Sequence, residues 1–262
     1  MKFTLAGLFF TACGLVHSIP TPSTTKPPRF FLIGDSTVAK DGGWGDGLLN
    51  YLNPPARGEN RAVGGLTTAS LEGNGRWDAL IDDIYTAKDE FEPVVTIQFG
   101  HHDQELMQLD EFCSNLVDIG NDIKKAGGTP VCDDPLLNVD ENRAKLYKIF
   151  ITPLTRRTFS GGEVVEDLKE WAAATIAAAE DVGAEFLELN GVSTAYVNKI
   201  GSRFSDYYNW HTGDRTNLNP WGENVFGHMV LDLLLEKRGD FSAYFVTNKA
   251  FSEMIKFATG KD

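Results

Sequence analysis

The spacing of apolar residues is the feature that most constrains the fold of this 262-residue chain. Apolar runs of four to six residues alternate with longer segments of helical period, the pattern of repeated βαβ units around a parallel sheet. The predicted strands are Phe30–Ile33, Asn60–Val63, Val94–Phe99, Ile149–Thr152 and Glu185–Leu189. The predicted helices are Trp44–Leu52, Trp77–Ala87, Leu109–Ala126, Val164–Val182 and Pro220–Glu236. We therefore expect an α/β fold with a single doubly wound parallel sheet flanked by helices.

The first residues have the pattern of a secretory signal. Lys2 is followed by a run of apolar or small residues from Phe3 to Val16, which has the length of a signal h-region and is shorter than the roughly 20 residues of a membrane span. We predict a signal peptide over residues 1–18, a flexible Pro/Thr/Ser-rich stem over residues 19–29, and a secreted, extracellular protein. A buried N-terminal helix is the alternative.

Charge and cysteine content narrow the function classes. The 24 basic and 37 acidic residues give a net charge of −13, which repels phosphate backbones and anionic lipids, so we expect neither nucleic acid nor a membrane as partner. The 42% apolar content of a chain this long is enough for one sizeable core. Removal of Cys13 with the signal would leave Cys113 and Cys132 and at most one disulfide.

Polar clusters follow the predicted strands, at the edge where ligands bind in a parallel sheet. Gly34-Asp35-Ser36-Thr37 follows the first strand and places a hydroxyl where backbone N–H groups can stabilise a negative charge. A solvated, capped turn is the alternative for this segment. Gly64-Gly65 follows the second strand and lets the backbone approach a ligand closely, although an ordinary turn explains it equally well.

Two further clusters are rich in titratable or amide side chains. His101 and His102 follow the third strand, and at most one of them should face a reaction centre because strand residues alternate in direction. His211 and His228 lack ligand spacing with this pair, so we expect no metal site. Asp214 precedes Asn217 by three residues and could orient its side chain. The Asn219-Pro220 pair predicts the start of the last long helix, with Asn219 as N-cap.

These four clusters, in this order, resemble the SGNH (GDSL-type) hydrolase superfamily, which has a flavodoxin-like sheet, and within it the rhamnogalacturonan acetylesterases. The resemblance extends from Phe30 to about Glu236. It implies that Ser36 is the nucleophile and that the N–H groups of Ser36 and Gly65 form the oxyanion hole with a side-chain amide. It also implies that the last cluster carries an Asp that orients a catalytic His, and Asp214 fills the Asp position. The family requires no cofactor or metal.

Two positions depart from the family pattern. Residue 102 is His where the pattern Gly-His-Asn-Asp has Asn, and residue 217 is Asn where the pattern has the catalytic His. A carboxamide has no useful basicity, so Asn217 cannot take a proton from Ser36, and general-base help worth about 10² to 10⁴ in rate should be lost. His102 keeps a ring N–H that could serve the oxyanion hole.

Three explanations of these departures remain open. In the first explanation, the protein is a catalytically impaired SGNH-fold protein that binds acetylated glycan. Alternatively another histidine acts as the base, with His102 favoured over His211 because strand ends place side chains more reproducibly than loops. The third explanation is a natural-variant or sequencing change at Asn217.

The segment of 18 residues from Val131 to Lys148 interrupts the resemblance. Its polar residues and Pro135 are incompatible with a central strand, so we predict that it leaves the sheet as a loop. It is either an unspliced intron or a genuine surface insertion. The remaining domain prediction is a hydrolase domain over residues 30–238 and a C-terminal tail, residues 239–262, whose aromatic residues dock on it.

The leading functional hypothesis is a secreted O-acetylesterase acting on acetylated plant cell-wall polysaccharide, with rhamnogalacturonan as substrate and the protein a monomer. The impaired glycan-binding protein is the first alternative, and a general esterase or lipase is the second. Trp44, Trp210 and Trp221 lie near the predicted site in sequence, and this favours sugar stacking over an acyl chain, although each could instead fill the core.

Overall fold

The computed structural model describes residues 26–127 and 146–260, and a parallel sheet of five strands forms its centre. The strands are β1 (Pro28–Gly34), β2 (Arg57–Asn60), β3 (Glu92–Gln98), β4 (Tyr147–Ile151) and β7 (Glu185–Leu187). A separate antiparallel hairpin consists of β5 (Phe159–Ser160) and β6 (Glu163–Val164). The sheet order is β2-β1-β3-β4-β7, the flavodoxin-like order. The predicted doubly wound α/β fold is confirmed.

Helices cover both faces of the sheet. They are α1 (Gly45–Leu49), α2 (Arg76–Ala87), α3 (Asp103–Leu106), α4 (Leu109–Gly127), α5 (Lys169–Asp181), α6 (Leu189–Ser205), α7 (Pro220–Lys237) and α8 (Lys249–Thr259). Phe30 and Leu32 of β1 belong to the core cluster under α1, α6, α7 and α8, whereas Phe31 and Ile33 belong to the cluster under α2, α4 and α5. Since both faces are buried, the central strands are apolar at consecutive positions instead of alternating with polar residues.

Several elements differ from the sequence prediction. Strand β2 lies three residues earlier than predicted, because the sheet edge accepts its polar residues, and the predicted segment continues to bond β1 through Arg61 N–H and Val63 N–H. Helix α5 begins at Lys169 and not at Val164, because Gly161 and Gly162 take positive φ in the turn of the β5–β6 hairpin. Helices α3 and α6 and the β5–β6 hairpin were not predicted.

Part of the sequence prediction lies outside the described residues: the signal peptide, Cys13, Cys132, and residues 131–145 of the predicted insertion. Two predicted boundaries are wrong. The stem does not extend to residue 29, because Pro28 and Arg29 pair with β3. The insertion does not extend to residue 148, because Tyr147 and Lys148 pair with Val94 and Val95 of β3. In the described ranges, no helix has the length and apolar character needed to cross a membrane.

The residues after 238 pack against the sheet through aromatic side chains. Phe241 and Phe245 both contact Phe30 of β1 edge-on, with ring centroids 5.6 and 5.4 Å away. The buried His228 on α7 accepts a hydrogen bond at Nε2 from the backbone N–H of Asn248, the N-cap of α8, over 2.8 Å. His228 therefore ties the start of α8 to α7.

We expect His228→Leu to lower the free energy of unfolding by about 1–3 kcal/mol, because the Asn248 N–H would lose its acceptor. Urea denaturation at neutral pH measures the change. His211→Leu, at an exposed histidine, is the matched control and should change stability by less than about 0.5 kcal/mol. Equal effects of the two substitutions would contradict the role given to His228.

Candidate active site

The predicted site residues come together around one open cleft of about 380 Å³. It lies beyond the carboxyl ends of β1 and β3, at the point where the strand order changes direction and where ligands bind in this class of sheet. The residues that line it are Ser36, Gly65, His101, His102, Gln104, Glu105, Arg156, Asp214, Thr216 and Asn217. Every side chain in this lining is polar, and the remaining residue is glycine.

The turn that carries Ser36 is held by a buried carboxylate. Asp35 accepts hydrogen bonds from the Thr37 backbone N–H at 2.9 Å and the Thr37 hydroxyl at 2.7 Å. The turn can lie against β3 only because residue 34 is glycine: a Cβ there would stand 2.4 Å from the Gln98 carbonyl oxygen. Burial alone would raise the pKa of Asp35, but His101 beside it and the bonds from Thr37 hold that pKa below its ordinary value.

A chain of buried side chains extends this support into the core. The Trp44 indole N–H donates to Gln98 Oε1 at 2.8 Å, and Gln98 Nε2 donates to the Thr37 hydroxyl at 2.6 Å. Trp44 is fully buried and does not line the cleft. The suggestion that it stacks on a sugar is therefore wrong, since its ring fills the core and its N–H positions the turn.

The two adjacent histidines have different environments. His101 is 4% exposed, and its Nε2 donates to the Leu154 carbonyl at 2.7 Å, because a carbonyl can only accept. Its Nδ1 lies 3.5 Å from Asp35 Oδ2. The His102 side chain is 40% exposed and belongs to the cleft. His101 thus supports the Ser36 turn, and His102 is the histidine accessible to a substrate.

The loop that carries Gly65 is fixed by Asp103. This buried carboxylate accepts from the Thr68 N–H and hydroxyl, both at 2.7 Å, and from the Gly100 N–H at 3.1 Å. Burial raises the pKa of Asp103 above its ordinary value. Gly65 has φ +80°. Within the described part of the chain, the backbone N–H groups of Ser36 and Gly65 and the Ser36 hydroxyl have no hydrogen-bond partner. These three groups are available to a ligand.

Asp214 and Asn217 are bonded to each other. Asp214 Oδ1 accepts from the Asn217 backbone N–H at 2.8 Å and the Thr216 N–H at 3.0 Å, and Oδ2 accepts from Asn217 Nδ2 at 3.0 Å. Burial by itself would raise the pKa of Asp214, but these bonds and nearby His211 hold it below its ordinary value. The carboxylate orients residue 217 as the sequence pattern predicts, and the side chain so oriented is an amide.

Arg157 holds this loop from beneath. It is fully buried, and its Nη2 donates to the Asn217 carbonyl at 2.6 Å while its Nε donates to Asn209 Oδ1 at 2.8 Å. Burial lowers the pKa of Arg157 to about 10, so it remains charged at neutral pH. The sequence pattern assigns no role to Arg157. Two adjacent arginines in the loop that follows β4, in an acidic chain, are the signal that could have identified it.

Arg156 and Glu105 were also missed. Arg156 Nη1 donates to Gln104 Oε1 and Asp167 Oδ2, each at 2.6 Å, and Nη2 donates to the His101 carbonyl at 3.0 Å. Glu105 Oε1 lies 4.0 Å from Arg156 Nη2, and Glu105 Oε2 lies 3.6 Å from His102 Nδ1. The charged side chains of Glu105 and Arg156 therefore line the same cleft as His102.

Three other residues considered from the sequence do not line the cleft. His211 is 69% exposed, with its Nδ1 3.6 Å from Asp214 Oδ2. Trp210 and Trp221 are exposed, and Trp221 packs edge-on against Phe251. No cluster of three or more His, Cys, Asp or Glu suited to a metal ion occurs among the residues that the structure describes.

Two curated proteins are similar in sequence to this chain. No protein-family model matches the sequence. The chain is 25% identical over 213 residues to the probable rhamnogalacturonan acetylesterase YesY of Bacillus subtilis, covering 77% of this chain and 90% of that protein. It is 28% identical over 175 residues to the rhamnogalacturonan acetylesterase RhgT of the same organism, covering 63% of this chain and 66% of that protein.

Solved structures share the fold. Protein YXIM of Bacillus subtilis superposes with a TM-score of 0.62 at 20% identity over 84% of this chain, which spans 59% of that chain. The acetylxylan esterase Axe2 of Geobacillus stearothermophilus gives 0.54 at 16% identity over 82% of this chain and 95% of that chain. The chain is thus similar in sequence to rhamnogalacturonan acetylesterases and shares the α/β fold of these solved structures.

The lowered pKa of Asp35 implies that its negative charge stabilises the folded protein at neutral pH. An acid whose pKa is lower in the folded state stabilises the fold above its unfolded pKa of about 4, and that contribution disappears as the pH falls through the folded value. We expect Asp35→Asn to lower the free energy of unfolding by about 1.5–3 kcal/mol at pH 7, because charge-assisted bonds are weakened. The difference from the parent should shrink below pH 4.

Urea denaturation of both proteins at pH 7, 5 and 3 measures this difference. Asp89→Asn, at an exposed carboxylate, controls for loss of one negative charge and should change stability little at any of these pH values. A parent-to-variant difference for Asp35→Asn that grows toward pH 3 would contradict the interpretation.

Proposed function

We propose that this protein is a carbohydrate O-acetylesterase in which Ser36 is the nucleophile. The observation that carries the proposal is the presence, in one cleft, of the Ser36 hydroxyl and the backbone N–H groups of Ser36 and Gly65, all three without a hydrogen-bond partner among the residues that the structure describes. A hydroxyl beside two free N–H donors is the arrangement that acyl transfer needs, because the donors stabilise the oxyanion of a tetrahedral intermediate. The names of the two curated relatives support acetyl esters as the substrate class.

The reaction proceeds in two halves. Ser36 Oγ attacks the acetyl carbonyl carbon, the carbonyl π electrons move to the oxygen, and the Ser36 proton passes to a base. Collapse of the intermediate breaks the ester C–O bond, and the sugar oxygen leaves with that proton. Water then attacks the acetyl-Ser36 ester, and acetic acid departs as Ser36 regains its proton. The net change is one ester and one water converted to an alcohol and acetic acid, with no redox step.

The lining of the cleft favours a sugar ester over a lipid ester. All of its side chains are polar, whereas a long acyl chain needs apolar surface to leave water. Glu105 and Asp214 face the cleft with Arg156, so an anionic polymer gains no long-range attraction and must be recognised by short-range hydrogen bonds. We propose acetylated rhamnogalacturonan as the substrate, from the two relatives, and an extracellular site of action, from the N-terminal sequence.

The identity of the base is the main question in this proposal. Asn217 occupies the place that Asp214 orients, and its amide cannot take the Ser36 proton. His102 can supply either an N–H to the oxyanion or an unprotonated nitrogen to Ser36, and a single ring nitrogen cannot do both. The proximity of its Nδ1 to Glu105 bears on this choice.

The bonded Asp214–Asn217 pair also favours a second candidate function. A loop that orients an amide instead of an imidazole would suit a protein that binds acetylated glycan without hydrolysing it efficiently. In that case Ser36 has no base, and only oxyanion stabilisation and binding would remain. The two candidates differ in turnover and not in ligand.

Acetate release tests the leading proposal. We expect the purified protein to release acetate from acetylated rhamnogalacturonan faster than from acetylated xylan, and to leave long-chain esters intact. Ser36→Ala should remove the activity, and the parent, unlike this variant, should be labelled by a serine-directed fluorophosphonate. Glycan binding without acetate release or labelling would favour the second candidate, and preferential hydrolysis of long-chain esters would identify a lipase.

Asn217→His separates an active enzyme from an impaired one. If another histidine already serves Ser36, the new imidazole should change kcat less than about tenfold. If Ser36 has no base, restoring one beside Asp214 should raise kcat by about 10² to 10⁴. Steady-state kinetics on the preferred acetylated substrate measure the change, and Asn217→Gln, which keeps an amide at this position, is the matched control.

A further inference from the structure

The cleft contains a second histidine–carboxylate pair, separate from the Asp214 loop. His102 precedes the first turn of α3 and Glu105 lies three residues later, so the two side chains share one side of that turn. The distance from His102 Nδ1 to Glu105 Oε2 is 3.6 Å. Both residues line the cleft that contains Ser36. The pair therefore lies in the same cavity as the nucleophile of the proposed reaction.

The other oxygen of Glu105 lies within ion-pair range of an anchored arginine. Arg156 Nη2 lies 4.0 Å from Glu105 Oε1, and the Arg156 side chain is only 14% exposed. Hydrogen bonds to Gln104, Asp167 and the His101 carbonyl fix the guanidinium. The exposed Glu105 carboxylate thus lies within ion-pair range of an anchored cation on one side and of an imidazole on the other.

We propose that Glu105 orients His102 as the general base for Ser36. The His102–Glu105 pair takes the place of the catalytic histidine that the family pattern has at position 217. The Glu105 carboxylate accepts a hydrogen bond from the protonated Nδ1 of His102. The Nε2 atom of His102 is then unprotonated and can take the Ser36 proton. The imidazolium formed in the first half of the reaction is stabilised by the Glu105 carboxylate until it returns the proton to the sugar oxygen. Glu105 is a positioning residue, since it acts through His102. The inference rests on the proposed function of the cleft.

The 3.6 Å separation fits a pair that closes when substrate binds. It is longer than a hydrogen bond and within ion-pair range, and contacts between a catalytic base and its orienting group are commonly long in the absence of substrate. This assignment also removes His102 from the oxyanion hole, which then consists of the Ser36 and Gly65 N–H groups.

His211 is a weaker candidate for the same task. Its Nδ1 also lies 3.6 Å from a carboxylate oxygen, Asp214 Oδ2, but that oxygen already accepts the Asn217 amide, and the other Asp214 oxygen accepts two backbone N–H groups. His211 is 69% exposed and does not line the cleft. Its pairing with Asp214 therefore places no imidazole beside Ser36.

Kinetics of four variants test the assignment. On acetylated rhamnogalacturonan, or on p-nitrophenyl acetate as a simple acetyl ester, His102→Ala should lower kcat by about 10² to 10⁴. Glu105→Ala should lower kcat by at least about tenfold with little change in KM, and Glu105→Gln, which keeps an acceptor oxygen, should retain more activity than Glu105→Ala. Glu111→Ala, at an exposed carboxylate of α4, controls for charge and should match the parent. Full kcat in His102→Ala or Glu105→Ala would overturn the assignment.

A spectroscopic measurement separates this inference from the proposed function. Ring nitrogen chemical shifts of His102, assigned by their loss in His102→Ala, should report the Nδ1–H tautomer of the neutral ring, and Glu105→Ala should remove that preference. The spectra with and without Glu105→Ala are both recorded in a Ser36→Ala background, so the measurement requires no turnover. Absence of Ser36-dependent acetate release from the parent would overturn the proposed function. A tautomer unaffected by Glu105→Ala would overturn the role of Glu105 alone.

Discussion

The parallel pairing of β1 with β3 is the constraint on which the rest of the site depends. Its register continues to the pair Gly34 and Gln98, so both strands end at the same level and release their loops side by side. The first loop must then turn within one residue of the strand, and Asp35 satisfies the N–H and hydroxyl of Thr37 as it does so. Ser36 is presented to the cleft because its neighbours on both sides are buried and bonded.

Much of this could be predicted from the sequence because burial on both faces leaves an unambiguous pattern. Strands β1, β3 and β4 are apolar at consecutive positions, and Asn219 followed by Pro220 marks the start of α7, where the Asn219 side chain accepts from Gly222 N–H. The polar clusters after the strands converge because carboxyl ends of parallel strands share one edge. Site residues that follow the strands of a parallel sheet can therefore be predicted from the sequence.

The parts that escaped prediction depend on contacts distant in sequence. Helix α6 contains Asn, Gly, Ser and Val residues of modest helical propensity, and it is stable because Leu189, Tyr196 and Val197 are buried. The roles of Arg157 and Arg156 arise from partners more than fifty residues away in sequence. Such partners have no periodicity, so the charge pattern alone did not distinguish these residues from solvent-exposed ones.

Arg157 binds the loop of residues 214–217 through main-chain oxygens, chiefly the carbonyl of Asn217. Main-chain anchoring supports the path of this loop in addition to the bond between the Asn217 side chain and Asp214. A fold built in this way can exchange one functional group for another at that position while its stability and its neighbouring groups are preserved. At residue 217 the main chain thus has the structural role and the side chain has the chemical role. Selection on activity can therefore act on substitutions at this position.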